Sequence, residues 1–107
     1  MSDTNQYLYI IQPERLGMLT EEPTSHERET MAKHFAYLQQ LTEQGTLILA
    51  GRTLNNDVDT IGIAIINAPS EEEARTIVDN DPAVSQGVMN ASLYPYRVAF
   101  ISEANAK

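Results

Sequence analysis

Apolar residues along the chain recur in two alternating periods, and the order of those periods predicts the architecture. Tyr7 to Gln12 (YLYIIQ) is aromatic and β-branched, as a buried strand should be, and Pro13 ends it because proline has no N–H to give a ladder. Glu14 to Pro23 is polar, contains Gly17 and Pro23, and reads as a long loop of the kind that serves as a lid. Thr24 and Glu27 have the spacing of a capping box, and Met31, His34, Phe35, Leu38 and Leu41 follow at steps of three and four. An amphipathic helix is predicted there, with Gly45 as its stop. Thr46 to Gly51 (TLILAG) and Thr60 to Asn67 (TIGIAIIN) read as a hairpin joined through the polar turn Asn55 to Asp57.

Pro69, Ser70 and Glu73 repeat the helix-start signature, and Ala74, Ile77 and Val78 form the apolar face of a second, shorter helix. Asp81-Pro82 breaks it, Ala83 to Val88 adds a helical turn, and the last strand runs from about Ala91 to Ile101. Pro95 in that strand implies an edge position or a bulge. Ser102 to Lys107 is expected to fray. No repeat or flexible linker divides the chain, so residues 1–107 are expected to form one domain with its core over about 7–100. The order βαββαβ predicts an α+β, ferredoxin-like fold: a four-stranded antiparallel sheet with two helices on one face.

Helices on one face leave the other to water, and an antiparallel sheet then alternates apolar and polar residues. These strands do not alternate. Ile61, Ile63 and Ile65 point one way while Ala64 and Ile66 point the other, and Tyr7, Tyr9 and Ile11 oppose Leu8 and Ile10. Both faces are expected to be covered, most simply by the sheet of a second copy in a two-fold dimer. The alternative is a crowded strand pattern whose outer face is partly wet.

Charge narrows the partners. Seven Lys plus Arg against fifteen Asp plus Glu give a net charge of -8, which repels phosphate backbones and anionic lipids, so neither nucleic acid nor membrane is an expected partner. The absence of cysteine excludes disulfides and thiolate chemistry and suits a reducing compartment. The start MSDTNQY lacks the basic and apolar segments of a signal peptide, and no apolar run approaches the ~20 residues that span a bilayer, so a cytoplasmic protein is expected.

The two histidines, His26 and His34, have no cysteine to complete a ligand set, and no metal site is expected. His26 sits near the predicted helix start, where a solvated surface residue is the default. His34 falls on the inward stripe of the helix, where an imidazole needs a hydrogen-bond partner. It reads either as a satisfied core histidine or as a general acid–base group, since imidazole exchanges protons near neutrality. Asp81, held extended by Pro82, reads either as the cap of the Ala83 segment or as a carboxylate that orients such a base. The two lie far apart in sequence, and no periodicity joins them.

Three runs carry a family resemblance: HFAYLQQLTEQGTLILAGR from His34, PSEEEARTIVDNDPAVSQG from Pro69, and the terminal VMNASLYPYRVAF. In order and spacing they resemble the YCII-related domain family over about Tyr7 to Phe100. The resemblance implies a ferredoxin-like dimeric α/β barrel with a His-Asp dyad in a pocket, here His34 and Asp81. Arg52 stands where the family often has a proline after Ala-Gly. Its planar fork of donors suits a carboxylate or phenolate, although surface ion pairing is the common fate of an arginine. Tyr9 and His26 join Arg52 as candidate ligand contacts.

No phosphate-binding, flavin or nicotinamide motif occurs, which leaves acid–base chemistry without a cofactor; the resemblance implies a lyase, isomerase or hydrolase type acting on a small anionic, aromatic or carbonyl compound. Two alternatives stay open. One is a non-catalytic binding or accessory module; the other is a cofactor-free monooxygenase, which would consume oxygen.

Overall fold

The computed structural model describes residues 5–102, so the expected fraying from 103 onward and the first four residues of the N-terminal reading lie outside the described residues. The elements in chain order are β1 (Asn5–Pro13), α1 (Gly17–Thr20), α2 (Ser25–Glu43), β2 (Leu47–Arg52), β3 (Gly62–Ala68), α3 (Glu71–Asp79), α4 (Pro82–Ser85) and β4 (Met89–Tyr96). Every strand pairing is antiparallel and the order across the sheet is β2-β3-β1-β4, the ferredoxin-like α+β arrangement. Pro95 lies on the edge strand β4, where its missing N–H leaves no neighbour unpaired. Among the described residues no helix is long and apolar enough to cross a membrane.

Local chemistry sets the helix ends. The Glu27 N–H donates to the Thr24 hydroxyl at 3.1 Å and the Thr24 N–H donates back to Glu27 Oε1 at 2.8 Å, completing the capping box of α2. At the other end Gly45 takes a φ of +78°, the left-handed turn that lets the Thr46 N–H reach back to the Leu41 carbonyl at 2.9 Å. Ser70 caps α3 through the Glu73 N–H at 3.2 Å, and Glu71, Glu72 and Glu73 complement the positive end of its dipole. Asp81, with a ψ of 123°, leaves the α3 path and caps α4, whose first position is Pro82.

Four readings need correction. The stretch Glu14 to Pro23 is not all loop: Gly17–Thr20 turns into α1 and buries Met18, an apolar anchor inside a polar segment. Phe35, placed by spacing on the inward stripe of α2, is 63% exposed, because the stripe that meets the sheet is narrower than the periodicity implied. Ile61 lies before β3, where its carbonyl accepts from the Thr53 N–H. The last strand ends at Tyr96 rather than Ile101; Tyr96 pairs with Gln6, and the Val98 N–H turns to the Gln6 side chain at 2.7 Å.

The core lies between the sheet and the helices, with Tyr7, Tyr9, Ile11, Leu47, Ala64 and Ile66 facing Leu41, Ala74 and Val78. The opposite face carries Leu8, Ile10, Ile63, Ile65, Leu49, Tyr94 and Tyr96 by register. Ile65 is buried, but Leu49, Tyr94 and Tyr96 are each more than 40% exposed. Among the described residues, no helix covers them.

A bulge in β2 reverses which residues face the core. Leu47 stands opposite Ile66, yet Leu49 stands opposite Ile65, so one residue is extra. Beyond it Ala50 and Arg52 stand opposite Ala64 and Gly62 on the helix-covered side.

The segment after β1 is tied to α2 by a two-pronged ion pair: Arg15 Nε donates to Glu27 Oε2 at 2.9 Å and Nη2 to Oε1 at 2.6 Å. The Arg15 hydrogen bonds, helped by the Thr24 N–H, lower the Glu27 carboxyl from 4.5 to about 2. A carboxyl whose value is lower folded than unfolded contributes stability that is complete above the unfolded value and lost as pH falls through the folded one. The stability advantage of the natural protein over Glu27→Gln, measured as the urea midpoint, is therefore expected to be greatest above about 4.5 and to shrink toward about 2. A difference that stays flat across that window would show that the ion pair contributes nothing to folding.

Candidate active site

Asp81 has no exposed surface, and a carboxylate taken out of water needs donors. It has three. His34 Nδ1 lies 2.8 Å from Oδ1 and 2.9 Å from Oδ2, the Ala83 N–H donates to Oδ1 at 2.9 Å, and the Tyr9 hydroxyl donates to Oδ2 at 3.2 Å. An ionised carboxylate only accepts, so the proton between His34 and Asp81 belongs on Nδ1 and a neutral ring carries its lone pair on Nε2.

Each group reaches this point for a local reason. His34 sits mid-way along the capped helix α2, Tyr9 points inward from the central strand β1, and the Asp-Pro break leaves Asp81 extended under both. Burial, and then the charge and hydrogen bond of Asp81, raise the Tyr9 phenol far above its ordinary value, so it stays an O–H donor. Tyr37, whose hydroxyl donates to the Ile77 carbonyl at 2.7 Å, is pushed up to about 12 by burial and then by the Asp81 charge.

The other side of His34 faces a cavity of about 510 Å³ between α2 and the sheet. Nε2 makes no protein hydrogen bond among the described residues, yet no unpartnered side-chain nitrogen is enclosed, so the atom retains contact with that space. The walls are mostly apolar. Met31, Phe35 and Leu38 come from α2, Met18 and Leu19 from α1, and Ile11, Gly62 and Ala64 from the sheet. A cavity of this size and lining suits a small organic molecule with an aromatic or aliphatic body. Gly62 fits closely, since a Cβ there would lie 3.0 Å from Ile11 Cγ1.

The remaining candidates separate. Arg52 lines the cavity, where its Nε donates to the Thr53 carbonyl at 2.9 Å and its Nη2 to Asn56 Oδ1. Tyr9 lines it too, but its hydroxyl is engaged with Asp81. His26 does not line it: the side chain is exposed in the first turn of α2, with Nε2 3.3 Å from the Gln86 carbonyl. The sequence reading missed Phe35 as a wall of the cavity; its place after His34 in the chain was visible, but neither its exposure nor the 5.5 Å between the two ring centroids was. Among the described residues no three His, Asp or Glu side chains gather as a metal ion needs.

Comparison with solved structures places this geometry among known folds. The chain is similar to the 5-chloro-2-hydroxyhydroquinone dehydrochlorinase of Burkholderia phenoliruptrix AC1100, determined in complex with 2,5-dihydroxybenzoquinone, with 23% identity, a TM-score of 0.62, and 85% of this chain and 93% of that one covered. A cofactor-independent oxygenase from Streptomyces nogalater gives a TM-score of 0.43 at 10% identity, covering 94% of this chain and all of its own. A dimeric ferredoxin-like protein from an uncultured marine organism gives 0.43 at 9% identity, with 94% and 96% covered. No curated protein matches the chain. The pattern of the YCII-related domain runs over residues 6–95, from β1 to the edge strand and across both His34 and Asp81, and the chain belongs to that family.

Proposed function

We propose that the chain is a small-molecule enzyme that works by acid–base chemistry without a cofactor, with His34 moving the proton and Asp81 orienting it. The observation that carries this reading is the two-sided environment of His34: Nδ1 is held by a fully buried carboxylate, while Nε2 is left for the cavity. A base that takes a proton at Nε2 becomes imidazolium, and Asp81, 2.8 Å from Nδ1, stabilises that charge as it forms. The proton can then return to another carbon or to a leaving group, which covers isomerase, lyase and hydrolase outcomes. Tyr9 acts through Asp81 as a positioning residue.

The first compound to assay is 5-chloro-2-hydroxyhydroquinone, on which the structurally similar dehydrochlorinase is named. His34→Gln is expected to lower turnover of whichever hydroquinone or quinone proves to be a substrate by at least about 10²-fold, the low end of what a positioned acid–base group contributes. Turnover that survives this substitution would end the proposal.

A second reading rests on a specific observation: the Asp81 carboxylate ties together β1 through Tyr9, α2 through His34 and α4 through the Ala83 N–H. A cluster that joins three elements can serve the fold of a non-catalytic binding module. Tyr9→Phe separates the two roles. Loss of its hydroxyl is expected to cost about 0.5 to 1.5 kcal/mol of stability, read from the denaturant midpoint, in either case. Only an enzyme also loses turnover in Tyr9→Phe under conditions where the protein remains folded.

The open face of the sheet belongs to a second copy of the chain in this reading. Leu8, Ile10, Ile63, Ile65 and Leu49 form an apolar surface rimmed by Tyr94 and Tyr96, and two such faces packed together would remove it from water. Sedimentation is expected to give the mass of two chains, and Leu49→Asp to give that of one. A single-chain mass for the natural protein at every concentration would remove the dimer.

A further inference from the structure

We propose that the cavity selects a small apolar or aromatic anion, a carboxylate or phenolate, and that Arg52 is the residue that recognises its charged oxygen. The proposal rests on the cavity being the active site and adds the class of compound that enters it.

The bulge in β2 is the first ground. Had the register of Leu47 opposite Ile66 continued without an extra residue, Gly51 would fall on the helix-covered side and Arg52 on the open face of the sheet. The bulge between Leu47 and Leu49 turns Arg52 to the cavity side, opposite Gly62, which has no side chain to fill the space. Bulges recur beside active sites because they re-aim a side chain in this way.

Charge on the cavity wall is the second ground. The charged or titratable side chains lining it are Glu27, Arg28, His34, Arg52 and Tyr9, whose phenol stays a neutral donor to Asp81. Glu27 is neutralised by Arg15, Arg28 pairs with Glu22 at 2.8 Å, and His34 is held by Asp81. Arg52 makes no ion pair among the described residues, so the unbalanced charge at the cavity is positive, in a chain whose net charge is -8. An unpaired cation on the cavity wall attracts an anionic ligand to that place.

The third ground is the state of the guanidinium. Nε donates to the Thr53 carbonyl and Nη2 to Asn56 Oδ1, and Asn56 holds a φ of +47° in the turn that brings its amide back to β2. Two of the five N–H donors are used and they fix the plane of the group, while both hydrogens on Nη1 and one on Nη2 remain for a ligand. That fork matches the two oxygens of a carboxylate, and a single donor of it matches a phenolate. Met31, Phe35 and Leu38 line the same cavity and would take the apolar body.

Benzoate and its neutral isostere benzamide test this directly, because neither needs to react. Each is titrated into the isotope-labelled protein while the Met31 methyl and His34 ring signals are followed. Benzoate is expected to bind about tenfold or more tightly than benzamide, as a charge-assisted hydrogen bond implies. Arg52→Gln should bring benzoate down to the level of benzamide and weaken benzamide far less, because only benzoate loses a charge-assisted bond. Asn56→Ala, which keeps the charge and frees the guanidinium, should give an intermediate loss and guards against misreading a local folding defect. Equal binding of the two probes by the natural protein, a preference for benzoate that survives Arg52→Gln, or shifts that miss Met31 and His34 would each overturn the proposal. Failure of the proton-transfer reading is seen separately: His34→Gln would keep turnover while the Arg52-dependent preference for benzoate persisted.

Discussion

A carboxylate with no exposed surface can exist in a folded chain only where donors converge on it, and the arrangement around Asp81 follows from that constraint. Its Oδ1 accepts from the Ala83 N–H and from His34, and its Oδ2 accepts from Tyr9 and lies within 2.9 Å of the same imidazole nitrogen. Three elements separated in sequence are thereby brought to one point. The same contacts that make the carboxylate tolerable also fix the plane and tautomer of His34, so what holds the fold together also orients the candidate base.

Around that point the fold divides its labour by face. The helix-covered side of the sheet gives a core where Tyr7, Ile66 and Leu47 pack, and a cavity where Ala64 and Gly62 leave room. Small residues on β3 leave space beneath α2 next to His34. The Arg15–Glu27 pair fastens the α1 segment beside that cavity, placing Met18 and Leu19 in its wall. The opposite side of the sheet is left as an apolar surface that no helix among the described residues covers.

Features governed by local chemistry were legible in the sequence. The Thr24–Glu27 box, the Gly45 stop, the Ser70 cap and the Asp81-Pro82 break each depend on residues within a few positions of one another, and each occurs where its signal stands. Long-range geometry was not legible. Nothing local joins His34 to Asp81; only the family pattern linked them, and the contact depends on how α2 and α4 settle on the same sheet. Periodicity placed Phe35 inward because it counts apolar residues without knowing how wide a stripe the sheet can cover. The extra residue in β2 had no signature, since Leu47, Ile48 and Leu49 are all apolar and read equally well on either face, and with it went the reason that Arg52 meets the cavity.

The central claim is that Asp81 holds His34 with its proton on Nδ1 and its lone pair toward the cavity. Long-range proton–nitrogen NMR of the His34 ring, at a pH where the ring is neutral, tests it most directly, comparing the natural protein with Asp81→Asn. The natural protein should show the Nδ1–H tautomer. In Asp81→Asn the amide oxygen at Oδ1 serves the Ala83 N–H and the NH2 replaces Oδ2, 2.9 Å from Nδ1, which should raise the share of the Nε2–H tautomer. An Nε2–H tautomer in the natural protein would contradict the account.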